Sequence, residues 1–321
     1  MMKKQIMLGM AMAALGLGMA GCSSSSSNKT VNVGILQIVQ HGSLDAARQG
    51  FKTELNKEIK AKHSDWKVNY NYQNAQGDQA NLNTMSQQVS QKNPKLILAI
   101  ATPAAQAVAK KTKTTPIMTT AVTDLKGAGL VKSNEKPGTN VSGTSDVAPV
   151  SKQLKLLKSM TKGDKPLGIM YNSSEENSVL QVGIAKKYAA AHDIKLKLVS
   201  VTSTNDVQSA LSTLSGKISG LYLPTDNLMA SSMKIIGKEA QSAKLPVVTG
   251  SIEMAEDGGT ATYGINYKDL GKQTAKMAAK VILDNKKPQD MAVETSDSLH
   301  LYVNKDRATH LGLKANDIKE P

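Results

Sequence analysis

The chain has 321 residues, and its 40 lysines and arginines exceed its 26 aspartates and glutamates to give a formal charge of +14. With a single cysteine it cannot form an internal disulfide, so its stability must come from a hydrophobic core, which this length allows as two domains. A positive charge of this size makes nucleic acid a partner to consider. The lysines are scattered over predicted helix faces, however, and we expect no nucleic-acid partner.

The first predicted element is a signal peptide over residues 1–21. A basic start precedes an apolar stretch over residues 7–20 that is too short to span a bilayer, and small residues then stand directly before Cys22. This ending resembles the lipobox of bacterial lipoproteins, in which the cysteine is acylated. The alternative is an ordinary signal peptide with an incidental or buried cysteine. We predict a lipidated Cys22 and a flexible serine-rich tether over residues 22–30.

Residues 31–146 alternate short apolar runs with runs of helical spacing. This βαβαβ order predicts a parallel sheet with helices on both faces. Ser43 is a plausible N-cap of the first helix. The predicted strands are 33–39, 68–72, 95–101, 116–121 and 140–143.

The same order of elements repeats in the second half of the chain. Residues 167–171 match the first strand and residues 194–198 match the second. Residues 219–223 and 245–250 match the third and the fourth. Four matches in one order indicate an internal repeat. We therefore predict an α/β fold of two similar Rossmann-like lobes with parallel sheets.

The tail of the sequence does not begin a third copy. An extended segment, an amphipathic helix over residues 270–283 and a strand over residues 298–303 follow the second lobe. We expect the helix to return to the first lobe and the strand to the second, so that three crossings form a hinge that opens and closes. The predicted N-terminal lobe is 31–146 plus 264–285, and the predicted C-terminal lobe is 147–263 plus 286–321.

Six segments carry a family resemblance that covers the chain after residue 30 nearly end to end. They are VGILQIVQH (33–41), LDAARQGF (44–51), ATPAAQ (101–106), AVTD (121–124), YNSSEENS (171–178) and PTDN (224–227). Together they resemble the type I periplasmic binding proteins, the solute receptors of ABC importers, and more narrowly the substrate-binding family that includes the tryptophan and tyrosine receptors. Gly42 is a departure, because the family often has proline after the histidine.

The resemblance implies an extracytoplasmic, lipid-anchored monomer whose partners are an ABC permease and its ATPase. It implies a small amino acid-like ligand in the cleft between the lobes, with an aromatic one such as tryptophan, tyrosine or phenylalanine favoured. We expect no cofactor and no metal, because His41 has no second histidine, cysteine or paired carboxylate nearby in the sequence.

Candidate ligand contacts lie where strands end, because ligands of open parallel sheets bind beyond the carboxyl ends of the strands. Backbone amides at helix N-termini suit a carboxylate group. Thr102 with the amides of Ala104 and Ala105, and the turn at residues 41–43, are the candidates for that role.

An α-ammonium group needs an acidic acceptor at a strand end. Asp124, Asp226 and Glu253 stand at such positions. Turn formation or N-capping is the alternative role for Asp226, since aspartate favours both. Capping is less favoured for Asp124, because a loop begins at Lys126.

Four polar residues crowd the end of the first strand of the second lobe. We expect Asn177 to reach the ligand and Ser174 or Glu176 to cap the next helix. The predicted ligand-binding residues are Gln40, His41, Thr102, Ala104, Ala105, Asp124, Ser173, Ser174, Glu176, Asn177, Thr225, Asp226, Asn227 and Glu253.

Two other classes of function are weighed against a transport receptor. An enzyme is disfavoured, because the sequence has no nucleophile elbow, no Walker A loop and no dinucleotide fingerprint, and its histidines are dispersed. A sensor or adhesin that uses the same fold without an importer stays open. So does another small polar ligand, such as a sugar, nucleoside or peptide.

Overall fold

The structure is a computed structural model that describes residues 29–297 and 299–321. The predicted signal peptide, the predicted lipidation at Cys22 and all but the end of the predicted tether lie outside the described residues. Within the described ranges, no helix combines the length and the apolar character needed to cross a membrane.

The first lobe is an alternation of strands and helices, as its apolar periodicity predicts. Its elements are β1 (Thr30–Gln37), α1 (Gly42–Lys62), β2 (Lys67–Asn74), α2 (Gln79–Gln91), β3 (Leu96–Ile100), α3 (Thr102–Lys111), β4 (Ile117–Val122) and β5 (Val141–Ser145). Every residue of β3 and β4 is buried, since helices cover both faces of a parallel sheet.

The second lobe repeats this alternation. Its elements are α4 (Val150–Ser159), β6 (Leu167–Asn172), α5 (Glu176–Ala191), β7 (Leu196–Val201), α6 (Val207–Leu214), β8 (Gly220–Leu223), α7 (Asn227–Ser231), α8 (Met233–Ser242), β9 (Val247–Thr249), α9 (Ile252–Asp257) and β10 (Ala261–Gly264). The chain ends with α10 (Tyr267–Leu283), β11 (Glu294–Thr295), β12 (His300–Val303) and α11 (Lys305–His310).

The two sheets have equivalent strand orders. The first runs β11-β5-β4-β3-β1-β2 and the second runs β12-β10-β9-β8-β6-β7. All neighbouring strands are parallel except β10 and β12, which pair antiparallel. The predicted fold of two similar α/β lobes with parallel sheets is confirmed.

Helix α10 returns to the first lobe and packs along α1. The two backbones approach closely at Gly50 and Gly271, where a Cβ atom would collide with the carbonyl oxygens of Lys268 and Ala47. The apolar face of α10 joins the core of the first lobe through residues such as Leu270. These two glycines thus allow α10 to pack closely against α1, which anchors α10 on the first lobe.

The third crossing differs from the boundary predicted at residue 286. Strand β11 pairs in parallel with β5, with Glu294 opposite Thr144, so the chain is still part of the first lobe at Thr295. It enters the second lobe only at β12, where Val303 pairs with Ala261. A two-residue edge strand has too short a pattern to be read from hydrophobic periodicity.

The predicted N-cap of α1 is wrong. His41 occupies the cap position with extended backbone and makes no side-chain cap hydrogen bond. The hydroxyl of Ser43 instead shares a hydrogen bond of 2.9 Å with the hydroxyl of Ser251 in the second lobe. Because this serine serves a contact between lobes, the local capping rule does not apply to it.

Candidate functional site

A narrow cavity of about 20 Å³ lies between the lobes, at the carboxyl ends of the strands of both sheets. This volume is enough for about one water molecule, so the closed lobes leave little free space between the side chains that line the cavity. The first lobe lines it with His41, Ser43, Leu44, Ala121, Thr123 and Asp146. The second lobe lines it with Asn177, Thr225, Asp226, Asn227, Ala230, Ser251 and Met254, and Tyr267 at the start of α10 completes the wall.

Direct hydrogen bonds close the lobes over this cavity. Besides the pair of serine hydroxyls, the amide of Gln106 donates to Glu176 Oε2 at 2.9 Å. A longer contact of 3.4 Å joins His41 Nε2 to Asn227 Oδ1. The same Gln106 amide nitrogen also donates to the carbonyl of Ala128 in its own lobe. The structure therefore holds the two lobes in a closed arrangement.

Asp146 sits at the first crossing and joins it to α10. Its carboxylate accepts a hydrogen bond of 2.9 Å from the hydroxyl of Thr123 and a second from the hydroxyl of Tyr267. Burial raises the pKa of Asp146 above its ordinary value, against the effect of these hydrogen bonds. Sequence reasoning did not single out Asp146, although it directly follows β5, or Tyr267, because their contact joins residues that are 121 positions apart.

Asp226 has both carboxylate oxygens engaged by backbone amides. Oδ1 accepts from the amide of Met229 at 2.9 Å, which caps α7, and Oδ2 accepts from the amide of Asn172 at 2.5 Å. The capping role weighed from the sequence is therefore present. The residue is only 2% exposed, and burial raises the pKa of Asp226. The side chain of Ser178 and the backbone of Leu228 also donate hydrogen bonds to Asp226, and these oppose the rise in its pKa.

Glu175 is a further acidic residue that the sequence did not single out. It accepts hydrogen bonds from the side-chain amides of Asn172 at 3.1 Å and Asn227 at 2.5 Å. Burial and the nearby charge of Asp226 raise the pKa of Glu175 to about 7. It also occupies the N-cap position of α5 without a side-chain cap bond, so the predicted cap by Ser174 or Glu176 is wrong.

Glu253 lies behind the cavity wall. Its Oε1 accepts from the amide of Tyr267 at 2.8 Å, whereas the buried Oε2 has no hydrogen-bond partner. Burial raises the pKa of Glu253 to about 7. Glu253 therefore contacts the start of α10 and does not line the cavity.

Asp146, Asp226 and Glu253 are buried and Glu175 is half-buried, and the four acids share one electrostatic property. In the described part of the chain, the ion pairs are those of Arg48, Lys57, Lys62 and Lys272, and none of them involves Asp146, Glu175, Asp226 or Glu253. A buried carboxylate without a cation is unfavourable, which is why their pKa values are raised. A cationic group of a ligand in the closed cleft would therefore favour the ionised form of these acids.

Most of the remaining predicted residues line a second opening of the cleft. Thr102, Asp124, Ser173, Ser174 and Glu176 line it, and Asn177 lines both this opening and the cavity. Asp124 accepts a hydrogen bond of 2.9 Å from the amide of Gly127, so it caps a turn. The buried hydroxyl of Thr102 has no partner. Ligand contact by these residues stays a prediction.

The three other predicted residues lie away from the cavity. Gln40 is exposed, and the side chains of Ala104 and Ala105 are fully buried. The amide of Ala105 donates to the carbonyl of Ala101 at 3.0 Å, so it is not free for a carboxylate. Ala101 itself has φ 81° and ψ 154°, a backbone region that is almost confined to glycine. Such strain at the end of β3, beside Thr102, is typical of functional sites.

Comparisons with known proteins agree with this architecture. The sequence profile of the family described as ABC transporter substrate binding protein matches residues 32–318. A tyrosine-binding protein of Clostridioides difficile (strain R20291) is 40% identical over 298 residues, which cover 92% of this chain and 86% of that protein.

Two solved structures are similar to this chain over most of its length. One is an ABC domain from Streptococcus pneumonia in complex with L-Trp, with a TM-score of 0.83, 37% identity and coverage of 88% of this chain and 95% of the other. The second is the ligand-free, open structure of a substrate binding protein with adhesive properties from Clostridium difficile, with a TM-score of 0.66, 43% identity and the same coverage. The less identical but ligand-bound structure superposes better, as expected if the lobes of this chain are closed.

Proposed function

Because the chain belongs to the ABC transporter substrate binding protein family, we propose that it captures one amino acid in the cavity between its lobes and delivers it to an ABC permease driven by an ATPase. The observation that carries this proposal is the closed cavity beside buried acids that have no cationic partner. An α-ammonium group supplies that missing charge. The protein binds its ligand without catalysis, and it needs no cofactor.

Asp226 is the proposed acceptor of the ammonium group. It lines the cavity, and backbone amides fix the positions of both its carboxylate oxygens. Asn227 and Glu175, which are hydrogen bonded to each other, add negative potential on the same side. The first-lobe wall contributes the hydroxyls of Ser43 and Thr123, which are hydrogen bonded to Ser251 and Asp146.

The remaining walls of the cavity suit an aromatic side chain once the lobes open to admit it. Leu44, Ala121, Ala230 and Met254 provide apolar surface, and the ring of Tyr267 stands beside them. A 40% identical relative is a tyrosine-binding protein, and a 37% identical domain was solved with L-Trp. Tyrosine, tryptophan and phenylalanine are therefore the first ligands to test.

A thermal-shift screen of amino acids, short peptides, sugars and nucleosides tests this function. A ligand that binds only the folded state raises the melting temperature, by an amount that grows with concentration. We expect aromatic amino acids to give the largest shift. A shift with a sugar or a nucleoside and none with any amino acid would refute the ligand assignment.

We also propose that Cys22 is acylated after removal of residues 1–21, which places the receptor on the outer face of the cytoplasmic membrane as a monomer. The support is the sequence before Cys22 and its serine-rich continuation. Growth with a labelled fatty acid should label the wild-type chain and leave Cys22→Ser unlabelled. Equal labelling of both would refute acylation at this residue.

Surface adhesion is a second candidate function. It is favoured by the 43% identity to a substrate binding protein with adhesive properties. Cells that lack this chain should then adhere less, and a variant that no longer binds the amino acid should restore adhesion. Adhesion that is unchanged by loss of the chain would leave transport as the function.

A further inference from the structure

Lysines concentrate at the edge of the first lobe that lies opposite the cleft. In a parallel sheet covered by helices, the starts of the strands and the ends of the helices meet at this edge. Six exposed lysines occupy it, and we call it the basic edge: Lys29, Lys60, Lys62, Lys67, Lys92 and Lys95. In the described ranges, only Lys62 of these six has a carboxylate within salt-bridge distance, that of Asp284 at 2.8 Å.

Helix electrostatics accounts for part of this pattern only. Cations at the C-terminal end of a helix interact favourably with its dipole, and Lys60 and Lys62 stand in the last turn of α1. Lys29, Lys67 and Lys95 stand at the starts of strands and gain nothing from a helix dipole. Mutual repulsion among like charges is unfavourable for folding, and an anionic partner would offset it.

The chain enters the described structure at this same edge. The backbone carbonyl of Lys29 accepts a hydrogen bond of 3.0 Å from the amide of Lys67. The ammonium group of Lys29 lies 4.2 Å from the ring centroid of Trp66, which stacks on His63 at 3.9 Å. A half-buried tryptophan among lysines is the combination that favours the boundary between water and lipid head groups.

We propose that the basic edge rests on the anionic lipid surface of the membrane. The inference rests on the lipid anchor proposed at Cys22, which lies seven residues before Lys29. Seven residues span at most about 25 Å even when fully extended. An anchored chain therefore keeps the basic edge close to the lipid head groups, where each lysine adds attraction that decays within a Debye length.

Binding of the chain from residue 23 onward to vesicles tests the proposal without the lipid. The hydrophobic cores of both lobes lie within the described residues, so this chain retains them. Trp66 is the only tryptophan, and its fluorescence reports contact at the basic edge directly. We expect quenching by bromolipids in phosphatidylglycerol vesicles, little in phosphatidylcholine vesicles, and a loss of binding of about tenfold or more between about 50 and 500 mM salt.

A pair of matched triple variants locates the surface. Lys60→Glu, Lys67→Glu and Lys95→Glu together should weaken binding to anionic vesicles on the order of 100-fold. The control reverses Lys165, Lys195 and Lys217, which are exposed near the strand starts of the second lobe and change the net charge equally. We expect its binding to change by less than about threefold, since these lysines are remote from the basic edge.

Three results would overturn the proposal. One is an absence of Trp66 quenching, and another is an equal loss of binding in both triple variants. The third is binding of soluble polyphosphate without binding of vesicles, which would replace the membrane by a soluble polyanion. Thermal melting verifies that both variants are folded. Because this chain carries no lipid, failure here leaves acylation at Cys22 untouched, and fatty-acid labelling decides that point separately.

Discussion

Replacing Glu253 by glutamine should make the stability of the ligand-free protein less dependent on pH. Burial raises the pKa of Glu253 from an ordinary 4.5 to about 7. The folded protein therefore binds more protons than the unfolded chain between these two values, and its stability falls as the pH rises through that window. Since a tenfold change in an ionisation constant corresponds to about 1.4 kcal/mol, ionisation of this glutamate costs the folded state about 3 kcal/mol above pH 7.

Glutamine preserves the shape and the acceptor for the amide of Tyr267, and it cannot ionise. Urea unfolding followed by circular dichroism should give similar free energies of unfolding for both proteins at about pH 4, below the pKa of the unfolded glutamate. At about pH 8 the variant should be more stable by up to about 3 kcal/mol. Glu175 adds its own pH dependence to both proteins, and it cancels in the difference. Parallel stability curves for wild type and variant would refute the account of Glu253.

Three further substitutions test the site and the backbone around it. Asp226→Asn should weaken binding of an aromatic amino acid by about 30-fold or more in calorimetry, because it removes a buried charge opposite an ammonium group. An equal loss of affinity in Asp124→Asn would contradict this assignment. Gln106→Ala removes the hydrogen bond to Glu176 across the cleft and should weaken binding by about three- to tenfold, mostly through faster dissociation. Unchanged dissociation would argue against this bond in the closed state. Ala101→Gly should raise the free energy of unfolding by about 1 kcal/mol by relieving strain, and destabilisation would show that the backbone there is unstrained.

The fold could be predicted from the sequence because its signals are repeated and local. Apolar runs such as 95–101 and 219–223 mark strands that are buried on both faces, and each is followed by a helix. The internal repeat then indicated the number of lobes. The first sheet's edge strand, Glu294–Thr295, was missed because two residues carry no periodicity.

The candidate site was predicted from polar residues that follow strands in sequence. Asp226, Asn227 and Asn177 were found in this way, and all three line the cavity. Asp146 and Tyr267 were not found, because they are brought together by two crossings that are 121 residues apart in the chain. Pairing over such separations depends on tertiary packing and leaves no local pattern.

The ammonium requirement is the central claim, and titration calorimetry with matched ligands tests it most directly. Tyrosine should bind the protein at a single site, whereas 3-(4-hydroxyphenyl)propionate, which keeps the ring and the carboxylate but lacks the ammonium group, should bind at least about 100-fold more weakly. The same preference should hold for tryptophan over indole-3-propionate. Equal binding of each amino acid and its deaminated analogue would contradict the role of the buried acids.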